Sequence, residues 1–116
     1  MVNMDKKIKA KWIKALRSGK YKQGKQYLKS RGRYCCLGVL CEVLGMKPTR
    51  ENGRWIYEDS STVLPSQAMR TARIYNNQVG VRWPVQFRDE NHFILTGLND
   101  AGASFKFIAD VIEKQL

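Results

Sequence analysis

Acid is what the first third of this sequence lacks. Between residues 1 and 34, Asp5 is the one carboxylate, set against twelve lysines and arginines. Residues 35–116 hold nine bases and nine acids, so the whole formal net charge of +11 belongs to the first segment. Other shortages exclude classes of protein. No apolar run approaches the roughly 20 residues that cross a bilayer, so no membrane partner is expected. The first residues lead straight into a charged helix without the apolar stretch of a secretory leader. Cysteine is scarce: three residues, two of them adjacent, form a poor disulfide framework. No Asn-x-Ser/Thr acceptor occurs, and these features together point to a reducing cytoplasm. Histidine is scarcer still, so His92 is the sole imidazole available as base or ligand.

What is present is an ordinary globular composition, 43% hydrophobic and 27% charged in 116 residues. That length accommodates one domain around one core, residues 1–116, with a basic third (1–34) and a neutral remainder (35–116). Residues 5–18 predict an amphipathic helix, with Ile8, Trp12, Ala15 and Leu16 inward and Lys6, Lys7, Lys11, Lys14 and Arg17 outward. Asn3 or Asp5 caps it, and Ser18-Gly19 stops it. Residues 19–34 predict a loop or short hairpin turning at Ser30-Arg31-Gly32. Cys35–Gly45 is the most apolar stretch and predicts a buried helix. Asn52-Gly53 marks a turn before a strand over 54–58. A helix is expected from Leu64-Pro65-Ser66 to about Tyr75, and an edge strand over 79–87 interrupted by Pro84. A short helix over 93–98 then leads to a turn at Asn99–Gly102. A last helix follows, capped by Ser104, with Phe105, Ile108, Ala109, Ile112 and Leu116 inward. The expected fold class is α+β: a single compact domain, mostly helical, with a small antiparallel sheet.

Several constellations suggest chemistry. Gly19–Gln26 falls one residue short of the phosphate-loop pattern G-x-x-x-x-G-K-[ST]. Gln26 replaces the magnesium-holding hydroxyl and a helix precedes the loop, so phosphate contact is expected there without hydrolysis. Tyr21, Tyr27 and Tyr34, interleaved with lysines and arginines, suit a surface that stacks rings and pairs phosphates; the plainer reading packs each tyrosine onto the core. Cys35, Cys36, Cys41 and His92 lack zinc-knuckle spacing, so no metal is expected. Cys36 at a helix start, with His92 as base, is the outside reading of a thiol nucleophile. Leu95–Gln115 looks like the first two helices of a helix-turn-helix, but Phe105–Leu116 is balanced by Asp110 and Glu113, which favours a core hairpin over a groove reader.

A resemblance emerges from these residues. Lys11-Trp12, Ala15–Gly24 (ALRSGKYKQG), Tyr34–Cys41 (YCCLGVLC), Leu64-Pro65, Leu98–Gly102 (LNDAG), Ser104-Phe105 and Ile108-Ala109-Asp110 resemble a recurrent family of small phage or prophage proteins. The likeness spans most of the chain and is weakest from about Lys47 to Glu90. It implies an accessory phage gene acting in the cytoplasm of a host bacterium, in the setting of host takeover or counter-defence. It implies no enzymatic reaction.

The expected function is therefore a non-enzymatic, cofactor-free binder of an anion, either a nucleotide-like signal or nucleic acid. Arg17, Lys20, Lys22, Lys25, Lys29, Arg31 and Arg33 are the candidate phosphate contacts, Tyr21 and Tyr27 the stacking rings, and Gln23 a polar partner. The alternative is an inhibitor that docks the basic helix Lys6–Arg17 onto an acidic face of a host defence enzyme. The third is a Cys36-dependent hydrolase. Homo-oligomerisation stays open.

Overall fold

A computed structural model describes residues 4–77, 79–81 and 94–116, and among these it contains five helices and five short strands. The first helix, α1 (Lys6–Arg17), starts where Asp5 accepts a hydrogen bond from the Ile8 amide at 2.9 Å. It buries Trp12, Ile13 and Leu16. Trp12 is wholly enclosed, and its indole N–H donates to the Cys36 carbonyl at 2.9 Å, so the ring's one polar atom is satisfied inside the core. Burial of a side chain this size contributes roughly 1.5–3 kcal/mol. Ile13 joins the expected inward face because that face is wider than a single stripe.

Three two-residue strands follow: β1 (Lys22–Gln23), β2 (Lys29–Ser30) and β3 (Arg33–Tyr34). β2 and β3 form the hairpin expected at Ser30-Arg31-Gly32. Arg31 (φ 53°) and Gly32 (φ 75°) are both left-handed, as a two-residue turn of primed type requires. β1 lies on the other side of β3 and runs parallel to it. The chain reverses once between β1 and β2 and again between β2 and β3, so the sheet is mixed where an antiparallel one was expected.

The next helix, α2 (Cys36–Val43), is apolar except for Glu42, as its sequence predicts, with residues Cys36–Cys41 all buried. It packs against α1 and against α4 (Leu95–Asp100). Gly38 lies where the Leu28 backbone crosses: a Cβ there would sit 1.8 Å from the Leu28 carbonyl oxygen. A second hairpin, β4 (Thr49–Glu51) and β5 (Arg54–Ile56), turns at Asn52-Gly53 and meets the first sheet along β2. α3 (Ser66–Ala72) ends three residues before the expected Tyr75, because Arg73 takes a left-handed conformation that closes the helix on the Met69 and Arg70 carbonyls. Of the strand expected over 79–87, residues 79–81 are described, with Gly80 bridged to Ile94; 82–87 lie outside the described residues, as do Phe93 and His92.

The last helix, α5 (Phe105–Gln115), is capped by Ser104, whose hydroxyl accepts from the Phe107 amide, and packs along α1. The molecule is one compact α+β domain with a Cα radius of gyration of 13.1 Å, as expected of about 116 residues.

Candidate anion-binding groove

The two hairpins present their bases together. Tyr27, Lys29, Ser30 and Arg31 from the first, and Arg50, Gly53, Arg54 and Trp55 from the second, line an open cavity of about 520 Å³. The geometry follows from turn length. A two-residue Asn-Gly turn sets Glu51 opposite Arg54 and Arg50 opposite Trp55. Arg50 therefore reaches the indole, its guanidinium carbon 5.4 Å from the ring centre. Lys29 crosses from β2, with its ammonium 4.3 Å from the Trp55 ring and 5.5 Å from Tyr34. Arg54 lies 5.5 Å from the Tyr27 ring. Such cation–aromatic contacts hold long side chains over ring faces at about 0.5–1 kcal/mol each in exposed sites.

No carboxylate among the described residues lines the cavity. Among the described residues, the ion pairs are those of Arg17, at 2.7 Å to Asp110 and 3.3 Å to Glu113. Lys29, Arg31, Arg50 and Arg54 thus form no ion pair with another described residue, although Glu51 stands opposite Arg54 across the hairpin. Arg31 holds the turn's first left-handed position, where Asn or Gly is usual; this costs roughly 1–2 kcal/mol and places a guanidinium at the lip.

The expected site residues divide. Tyr27, Lys29 and Arg31 come together in the groove. Tyr21 stacks edge-on against Tyr34 at 5.2 Å, with the Lys20 ammonium 5.5 Å from the Tyr21 ring. Lys22 and Lys25 are exposed and outside the groove lining. Arg33 is exposed and donates to the Gln23 carbonyl at 3.3 Å. Arg17 lies on another face, between α1 and α5. Its guanidinium donates to Glu113 and to Asp110, and both hydrogen bonds hold its pKa above the usual value. Gln23 points inward: its amide donates to Asn99 Oδ1 (3.0 Å) and the Ala103 carbonyl (2.7 Å) and accepts from the Phe105 amide (3.1 Å). Arg17 and Gln23 are scaffold residues in this arrangement.

The near-match to a phosphate loop has a different use. The Gly24 amide donates to the Tyr34 carbonyl, and the Gln26 amide donates to Asp100 at 2.9 Å, so a carboxylate of the chain occupies an anion's place. Gly24 is small because a Cβ there would lie 2.9 Å from the Cβ of Arg33. Asn99, fully buried, ties the region together. Its carbonyl oxygen accepts from Gln23 and from the Cys36 amide, capping α2 in place of Cys35, while its amide donates to the Gly24 carbonyl.

The cysteines are free and buried. Burial pushes the Cys35 thiol up to about 11 and the Cys36 thiol well above its ordinary value. Cys36 is fully enclosed and therefore lacks the access and thiolate character that a nucleophile needs. Among the described residues, no group of three or more His, Cys, Asp or Glu side chains is placed to hold a metal, and no helix is long and apolar enough to cross a membrane.

The groove residues missed in the sequence are Arg50, Arg54 and Trp55. The turn dipeptide at Asn52-Gly53 carries the signal: a strand on its far side, read in two-residue register, brings all three to one end of a hairpin. No curated protein and no solved structure matches the chain. Residues 4–116 match the family described as Domain of unknown function (DUF8296), and the chain belongs to that family.

Proposed function

We propose that this protein is a non-enzymatic binder of an anionic ligand that carries both phosphate and an aromatic ring, of nucleotide or nucleic-acid type. One observation carries the reading: among the described residues, four cations and no carboxylate line a cavity of about 520 Å³ around two aromatic rings, within the roughly 300–1,000 Å³ of small-molecule sites. Phosphate oxygens accept charge-assisted hydrogen bonds from Lys29, Arg31, Arg50 and Arg54. The ligand's ring stacks on Trp55 or Tyr27 as the resident cation moves from the ring face to the phosphate. The resemblance to small phage proteins supports a setting in the cytoplasm of an infected bacterium, where capture of a nucleotide signal or of nucleic acid serves counter-defence.

The test is a titration of the purified chain with mononucleotides, cyclic dinucleotides, ADP-ribose and short oligonucleotides, followed by tryptophan fluorescence and melting temperature. Saturable quenching with a raised melting temperature is expected, and its loss in a folded Arg54→Glu variant. Binding that survives Arg54→Glu and Trp55→Ala undiminished would refute the groove as the site.

A second reading has its own observation. Lys6, Lys9 and Lys14, with Glu113 at the α5 side, ring an apolar floor of Ala10 and Ile13 in a depression of about 650 Å³, a surface whose surplus of bases suits an acidic helix of a host defence protein. Co-purification with a host protein, abolished by reversing Lys6 and Lys14, would favour it.

A further inference from the structure

The groove does not end at its lining. Lys29 stands between two rings, Trp55 at 4.3 Å and Tyr34 at 5.5 Å. Tyr34 touches Tyr21 edge-on at 5.2 Å, and Lys20 stands 5.5 Å beyond. At the other end Arg50 lies 5.4 Å from Trp55. The result is a row that runs from the second hairpin across the three-stranded sheet: Arg50, Trp55, Lys29, Tyr34, Tyr21, Lys20. Cations flank the rings along it, with Tyr34 and Tyr21 side by side and each also packed on the core. A mononucleotide would use one end and leave the rest idle.

We infer that the ligand of this surface is a single-stranded nucleic acid laid along the row, its bases on the aromatic side chains and its phosphates on the intervening cations. The inference rests on the groove reading above and adds the class of ligand. Stacking platforms accept any base, because every base has a π-face, so binding tolerates sequence. A duplex keeps its bases paired and stacked internally and offers them to neither Trp55 nor Tyr34. The row contains no carboxylate; Gln23, between Tyr21 and Tyr34 in sequence, turns its amide to Asn99 and the start of α5 instead of to the surface. The track is therefore sequence-neutral as well as basic.

The experiment measures fluorescence anisotropy of labelled oligothymidylates, from two to about twelve nucleotides, against the full chain at low salt. Thymidine monophosphate serves as competitor and a duplex of the longest length as comparison. Affinity is expected to rise by about tenfold for each added stacked base until the row is filled, then to level off. Lys20→Glu, at an exposed position outside the groove, is expected to weaken the long oligonucleotides by about tenfold and leave the dinucleotide unchanged. Arg54→Glu weakens both. Tyr21→Ala repeats the Lys20→Glu pattern, with circular dichroism confirming its fold. Affinity that is flat with length, a silent Lys20→Glu, or a duplex bound as tightly as the single strand would overturn the inference while leaving the groove reading intact. If neither monophosphate nor any oligonucleotide binds, and the cyclic dinucleotides and ADP-ribose of the earlier titration fail too, the groove reading itself fails.

Discussion

A thiol at the first turn of a helix is ordinarily acidified by the helix dipole, and Cys35 and Cys36 stand at that position. Burial reverses the effect. Desolvation is the largest influence on Cys35 and outweighs the backbone hydrogen bonds that favour its thiolate, moving it from 9.0 to about 11. The consequence is a stability that depends on pH. The unfolded thiol releases its proton near 9 and the folded one only near 11, so above pH 9 the native state holds more protons than the unfolded state. Stability contributed by this group is complete below about 9 and is lost as pH rises through about 11, up to about 2–3 kcal/mol for the single thiol. Cys36 and Cys41 are shifted in the same direction. The urea midpoint is expected to fall above pH 9, and to fall less steeply in Cys35→Ala. A chromogenic disulfide reagent at neutral pH should leave the native thiols unreacted and titrate all three after denaturation. One thiol reacting rapidly in the native protein would restore Cys36 as a nucleophile candidate.

At the scale of elements, regular helices were legible because their signals are local. Asp5 and Ser104 cap the helices they precede, and the apolar spacing of α1 and α5 places Trp12, Leu16, Ile108 and Ile112 in the core. What joins the elements was not legible. Asn99 reads as a turn residue, yet its partners Gln23, Gly24 and Cys36 lie more than sixty positions away, and no local pattern announces a buried amide serving three segments. The groove was half legible for the same reason: Tyr27, Lys29 and Arg31 belong to the conspicuous basic segment, whereas Arg50, Arg54 and Trp55 arrive from a stretch of balanced charge. Gly38 shows how contact overrides propensity. Alanine is the better helix former by up to about 1 kcal/mol, but its Cβ would meet the Leu28 carbonyl oxygen at 1.8 Å, closer than any side-chain movement can relieve. Gly38→Ala should therefore destabilise the protein by about 2–3 kcal/mol, lowering the melting temperature by on the order of 10 °C. An unchanged or higher melting temperature would mean that Leu28 does not cross α2 at this point.

For the whole molecule the question is whether binding follows net charge or its placement. The sequence assigns the entire +11 to residues 1–34, but folding distributes it. Lys6, Lys9 and Lys14 go to the α1 face, Arg17 is consumed by Asp110 and Glu113, and the groove recruits Arg50 and Arg54 from the neutral remainder. Two double variants separate the alternatives, because reversing two bases lowers the net charge from +11 by four in either case. Lys6→Glu with Lys14→Glu removes charge from α1, and Arg50→Glu with Arg54→Glu removes the same charge from the groove. If long-range attraction alone drives association, both variants weaken oligonucleotide binding equally and by less as salt rises, since salt at 0.1 M screens out attraction beyond about 10 Å. If the groove holds the phosphates, the second variant loses far more. Its dependence of log affinity on log salt should also become shallower by about 1.4, the release of two counterions from a single strand, while the α1 variant keeps the parent slope. Equal losses with equal slopes would return the function to the basic third as a diffuse patch and detach it from Trp55 and Tyr27.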